Sequence, residues 1–267
     1  LRSVLFQRNR GHPNVALPMT WSHTKSMADG SYIPVQDEDD IVPTEPLRYT
    51  HKGILDYLQQ LNEAGAIDLH TPVWDWRRSF EETEPKLATD IDSILDSSCR
   101  GDAQVKEGAV LITHSTGALV AWPSLNRRPD SFSTWINIGG CIGGSNALLK
   151  ELRYGWGAPG AEVVRLFGPE TMFTFPSHPG FFVDWVDGER FGGPGKNRTD
   201  LFCTNKTTGK KVFLTSKDID LHDPEIWKRF QLGVYGWKGA EKVTDAELYH
   251  LKQTLESARR FCSKHYV

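Results

Sequence analysis

The chain has 267 residues, 39% hydrophobic and 24% charged, the composition of a globular chain long enough for one large domain or a domain with a cap. Its formal net charge of −3 and pI of about 6.3 give no basic footprint, which sets nucleic acid aside as a partner. No apolar run approaches the ~20 residues of a membrane-spanning helix, and no signal peptide is visible after Leu1.

Residues 1–50 read as a long irregular excursion, punctuated by Pro13, Pro18, Pro34, Pro43 and Pro46. The acidic run Gln36-Asp37-Glu38-Asp39-Asp40 lacks the ligand spacing and Gly of a calcium loop and reads as a solvated loop. From His51 onward, Ile54, Leu55, Leu58 and Leu61 recur at helical spacing, and Gly65 stops the helix. Ile67 to Trp74 reads as a strand. Ser79 to Ser98 reads as a second amphipathic helix, with Leu87, Ile91, Ile94 and Leu95 on one face and Pro85 in its first turn. Ala109 to Ile112 suits a strand buried on both faces of a parallel sheet. Gly117 to Leu125 follows as a helix that Pro123 should kink or shorten, and Trp135 to Ile138 as a third strand ending at Gly139-Gly140. This alternation predicts an α/β class with a parallel sheet and helices on its faces. Residues beyond 141 are rich in Gly, Pro and aromatics and offer no further buried strand; a polar helix from Thr244 to Ser263 closes the chain. The expected organisation is a core over residues 1–145 and a cap or lid region with the C-terminal helix over 146–267.

The sharpest local signal is Ala109-Val110-Leu111-Ile112-Thr113-His114-Ser115-Thr116-Gly117. An apolar strand runs into a turn carrying Ser115 and then into a helix. That is the context of a nucleophile elbow, which lifts a serine hydroxyl above a sheet at a helix N-terminus. The backbone N–H of Thr116 and the helix dipole can then hold an oxyanion. Small residues are expected to flank the serine, because the turn brings two backbones together. Thr113 stands where G-x-S-x-G has its first Gly. The competing reading is a serine that merely caps the following helix. His114 should point away from the hydroxyl and pack under the turn. The cysteines at 99, 141, 203 and 262 form no CxxC pair, and two bridges or four thiols are both open. No His, Cys and Asp cluster has metal spacing, and serine acyl transfer needs no cofactor. Sequons at Asn197 and Asn205 matter only in a secretory compartment, so localisation stays open.

Four stretches resemble the lecithin:cholesterol acyltransferase superfamily, with its phospholipase A2-type and phospholipid:diacylglycerol acyltransferase-type enzymes. They are Val73-Trp74-Asp75-Trp76-Arg77-Arg78-Ser79, the elbow Thr113 to Gly117, Leu125-Asn126-Arg127-Arg128-Pro129, and Ile138-Gly139-Gly140-Cys141-Ile142-Gly143-Gly144-Ser145. They cover roughly Ile67 to Leu149. The resemblance implies an α/β-hydrolase-type core and a lipid ester substrate (phospholipid, sterol or acylglycerol), with peripheral membrane contact. Ser115 would be the nucleophile. Asp75 and Arg77 match the family's motif, and their residue-level reading is a structural ion pair. Phe167, Met172, Phe173, Phe175, Phe181, Phe182 and Trp185 would suit an acyl-chain tunnel or a cap core. The family's later Asp and His contexts have no counterpart. His178, His222 and His250 are the bases to consider, and the pair His222-Asp223 reads as a surface turn. The expectation is therefore a piece of a longer enzyme, or a catalytically inactive relative that binds lipid or a partner.

Overall fold

The computed structural model describes residues 16–26, 32–37, 48–98, 108–145, 147–157, 165–167, 169–181, 201–205, 207–214 and 219–265. The architecture is mixed α/β. Among the described residues the strands form four two-stranded ladders, one of them parallel.

The segment read as irregular carries an antiparallel ladder of β1 (Trp21–Ser26) and β2 (Tyr32–Gln36). Pro34 hides it in the sequence. Proline cannot donate to a ladder, and here it falls where the register shifts between Ser22 and Lys25. Gln36, read as part of a solvated loop, is buried instead, and its amide donates to the Thr174 carbonyl at 3.1 Å. Glu38 to Asp40 lie outside the described residues.

Helix α1 (Arg48–Glu63) ends as its spacing predicts, at Gly65 with φ 69°. Ile67 to Trp74 is not a strand but an irregular connection. Pro72 interrupts its donors, and the Leu69 N–H is taken by the Asn62 side chain at 2.9 Å. Helix α2 (Phe80–Ser98) starts after Ser79, whose hydroxyl accepts from the Glu82 N–H. Pro85 therefore sits at the sixth helical residue rather than in the first turn.

The centre of the molecule is a β–α–β unit: β3 (Ala109–His114), α3 (Thr116–Arg127) and β4 (Phe132–Ile138). The strands pair in parallel from Ala109↔Phe132 to His114↔Ile138. Helix α3 runs through Pro123 without being shortened. One face of the pair is covered by α3, with the Trp122 and Trp135 rings 5.5 Å apart. The other face is open: Val110 is 55%, Ile136 44% and Ile138 43% exposed. The expectation of burial on both faces is thus corrected. The apolar run belongs to strands covered on one side only.

After β4 come α4 (Ala147–Tyr154), β5 (Trp156–Gly157), β6 (Arg165–Phe167), α5 (Pro169–Phe173), β7 (Leu201–Thr204), β8 (Lys211–Leu214), α6 (Pro224–Phe230), α7 (Val234–Trp237) and α8 (Asp245–His265). Two antiparallel ladders, β5–β6 and β7–β8, lie where no further strand was expected. At two to four residues per strand they are too short to carry a period-2 pattern.

Two hydrophobic clusters hold these elements. The first joins Phe80, Leu87, Ile91 and Leu95 of α2, Leu119 and Val120 of α3, and Phe261 and Cys262 of α8. The second joins Leu152, Phe173, Leu221, Trp227, Val234 and Tyr235 to Leu251 and Leu255 of α8. Helix α8 spans both, so residues on either side of position 145 share a core. Met172, Phe173 and Phe175 are 2%, 5% and 1% exposed, which makes them core rather than tunnel lining. Phe182 and Trp185 lie outside the described residues.

Candidate active site at a strand–helix elbow

Ser115 joins β3 to α3 with φ 50° and ψ −120°. That is the first central position of a type II′ turn, a conformation glycine adopts freely and a residue with a Cβ adopts only under strain. Of the described non-glycine residues only Gln231 also has positive φ, and it occupies the ordinary left-handed region at a helix end. Among the described residues Ser115 is therefore the strained non-glycine backbone position. The surroundings fix it from both sides. Its N–H donates to the Ile138 carbonyl at 3.2 Å, and its carbonyl accepts from Cys141 at 3.3 Å and Ala118 at 3.2 Å. The turn is thus clamped between the two strand ends and the first turn of the helix.

The side chain of Ser115 makes no capping hydrogen bond. A serine kept for capping would accept from the second or third helical N–H. Ser115 is instead half-buried, and its hydroxyl is not spent on the helix end. Thr116 opens the helix beside it. Its N–H lies among the first-turn donors that have no helical acceptor, and it sits at the positive end of the dipole.

The neighbours explain how the elbow tolerates its departures from G-x-S-x-G. Thr113 is buried, and its hydroxyl accepts from the Trp135 indole N–H at 2.9 Å. The extra bulk is anchored on β4 rather than forced against the helix. Gly117 is not sterically compelled, because a Cβ there would meet nothing nearer than the Trp74 ring at 3.6 Å. The tight position is Gly140, where a Cβ would lie 2.4 Å from that of Ala118 and 2.0 Å from Asn137 Oδ1. The close approach occurs here, where the end of β4 meets the first turn of α3 through the Asn137 side chain and the Ala118 Cβ.

His114 does not pack under the turn. It is exposed on the open side of the sheet, where its Nδ1 lies 2.9 Å from Nε2 of His51 in α1, with the rings edge-on. Desolvation and then the His51 ring lower its pKa below the usual imidazole value. Nothing in the periodicity of α1 marks His51, and only the fold brings it to the elbow.

Of the other candidate bases, His250 is committed elsewhere and His222 is buried. His250 is fully buried. Its Nδ1 accepts from the Trp21 indole, and its Nε2–H donates to the Phe173 carbonyl at 2.9 Å. Burial pushes its pKa down to about 4. His222 is buried rather than on a surface turn, and its backbone N–H donates to Asp220 at 2.8 Å. Asp223 caps α6. The side chain of His178 lies outside the described residues.

Asp75 and Arg77 form the ion pair read for them: Nε and Nη2 of Arg77 reach the two carboxylate oxygens at 2.9 and 2.6 Å. The neighbouring Arg78 donates to the Gln36 carbonyl at 2.6 Å, tying this turn to β2. Arg127 and Arg128, at the end of α3, reach Asp92 and Asp96 of α2. These motif residues fasten the elbow's helix and the turn before α2. Cys141 and Cys262 are free thiols, and burial raises the latter to a pKa of about 12, which makes it inert. Cys99 lies outside the described residues, as do Asn197 and the side chain of Cys203.

Compared with protein-family models, with curated proteins and with solved structures, the chain finds no match.

Proposed function

We propose that the chain belongs to an α/β-hydrolase-type serine acyltransferase or phospholipase of the lecithin:cholesterol acyltransferase kind, acting on lipid esters in lipid metabolism. The observation that carries this reading is the strained, clamped Ser115 whose hydroxyl is not spent on capping. Backbone strain of this size persists where a site requires it. In the proposed reaction the Ser115 hydroxyl oxygen attacks the ester carbonyl and its proton passes to a base. The carbonyl oxygen becomes an oxyanion facing the Thr116 N–H. Collapse expels the alcohol and leaves an acyl-serine. Water or an acceptor alcohol then takes the acyl group and regenerates the hydroxyl.

The second reading is an inactive relative that binds lipid or a partner. It draws on the burial of His250 and His222 and on the bond of the His250 ring to the Phe173 carbonyl. One assay separates the two. With phospholipid vesicles and a long-chain alcohol, the enzyme reading expects free fatty acid or acyl ester that is abolished in Ser115→Ala. Vesicle binding without any product, equal in both proteins, supports the second reading instead.

A further inference from the structure

We infer that His51 and His114 form a binding site for a divalent transition-metal ion on the open side of the sheet, bridging α1 to the end of β3. The two facing nitrogens, His51 Nε2 and His114 Nδ1, are 2.9 Å apart. Two imidazole nitrogens bound to one ion at about 2.0–2.1 Å stand about 2.9 Å apart when they are cis at a right angle, and about 3.3 Å apart at the tetrahedral angle. The observed spacing therefore matches two adjacent positions of a tetragonal site. A few tenths of an ångström of opening would admit a tetrahedral one.

The ligands come from separate elements, 63 residues apart in the chain, and the backbone fixes both. His114 is the last residue of β3, held by its pairing with Ile138, and His51 lies in the first turns of α1. An ion here would close that long span with little rearrangement. Among the described residues no group of three or more His, Cys, Asp or Glu converges. The described residues supply two nitrogens to the ion, and water would complete the shell on this exposed side. Neutral nitrogen donors favour Cu2+, then Ni2+ and Zn2+, over Mg2+ and Ca2+, which demand oxygen.

The test is calorimetric titration of the tag-free folded chain with Cu2+, Ni2+ and Mg2+, together with the electron paramagnetic resonance spectrum of the Cu2+ form. The expected result is one Cu2+ per chain with two coordinated nitrogens, weaker binding of Ni2+, and none of Mg2+. His51→Ala and His114→Ala should each weaken Cu2+ binding by about tenfold or more. His70→Ala, on the exposed connection after α1, should leave it unchanged. His51 lies on a helix surface, so its variant reads out the site even where His114→Ala disturbs the strand. Equal affinity in the wild type and the His51→Ala/His114→Ala double variant would overturn the proposal, and so would the absence of stoichiometric Cu2+ binding. Ser115→Ala is expected to bind Cu2+ like the wild type, so this site and the acyl-transfer reading stand or fall separately.

Discussion

At the scale of single residues, the conformation of Ser115 makes a claim that stability measurements can decide. A serine that caps a helix loses about 1 kcal/mol on replacement by alanine and a few tenths on replacement by glycine. Ser115 makes no capping bond and sits at φ 50°, ψ −120°, so the order should differ. Ser115→Ala keeps the Cβ and the strain, and its stability is expected to match the wild type. Ser115→Gly relieves strain of about 1–3 kcal/mol and costs up to ~1 kcal/mol in unfolded-state entropy. It should therefore be the most stable of the three, by about 1 kcal/mol in urea denaturation. An alanine variant about 1 kcal/mol below the wild type would identify a cap and remove the strongest support for an elbow.

At the scale of elements, the β3–α3–β4 unit depends on how closely its two turns approach. Gly140→Ala would drive a Cβ into Asn137 and Ala118, and it is expected to destabilise by about 2 kcal/mol or more. Gly117→Ala has ordinary contact distances and lies in the first turn of a helix, where alanine is favoured by up to ~1 kcal/mol. Its thermal midpoint should hold or rise. Equal losses in the two variants would contradict this geometry. Much of this unit was legible in the sequence. Ile54, Leu58 and Leu61 marked α1, the Ala109 to Ile112 run marked β3, and the strand–Ser–helix order located the elbow. What escaped had physical reasons. Pro34 signals an irregular segment yet lies at an irregularity within a ladder, whereas the apolar residues around Pro72 suggest a strand in a segment that has no strand partner. The short ladders after α4 are set by tertiary context, and Gly140 became critical only once β4 was placed against α3. The His51–His114 contact joins residues that no local pattern relates.

At the scale of the whole molecule, α8 ties the two clusters together and carries the groups that set acid stability. His250 links Trp21 of β1 to the Phe173 carbonyl at the end of α5. His265 stacks near Phe261 and faces the buried Glu84 of α2. Burial lowers both imidazoles to about 4, and for His265 the charges of Lys264 and Arg127 add to this. In the unfolded chain they titrate near 6.5. Between those values the unfolded state binds more protons, so their contribution is complete above about pH 6.5 and is lost as the pH falls through 4. For His250 alone the shift corresponds to about 3 kcal/mol. Glu84, whose pKa burial raises, opposes this loss as it protonates. Urea midpoints measured from pH 7.5 to 4.5 should fall steadily, and a flat profile would contradict neutral, buried imidazoles. A serine set up for nucleophilic attack should react with a fluorophosphonate probe on the folded chain, read by intact mass and peptide mapping. One adduct is expected, on Ser115, and it should be absent from Ser115→Ala although that variant folds equally well. A folded wild-type chain that takes no adduct, or one labelled to the same extent as Ser115→Ala, would contradict it.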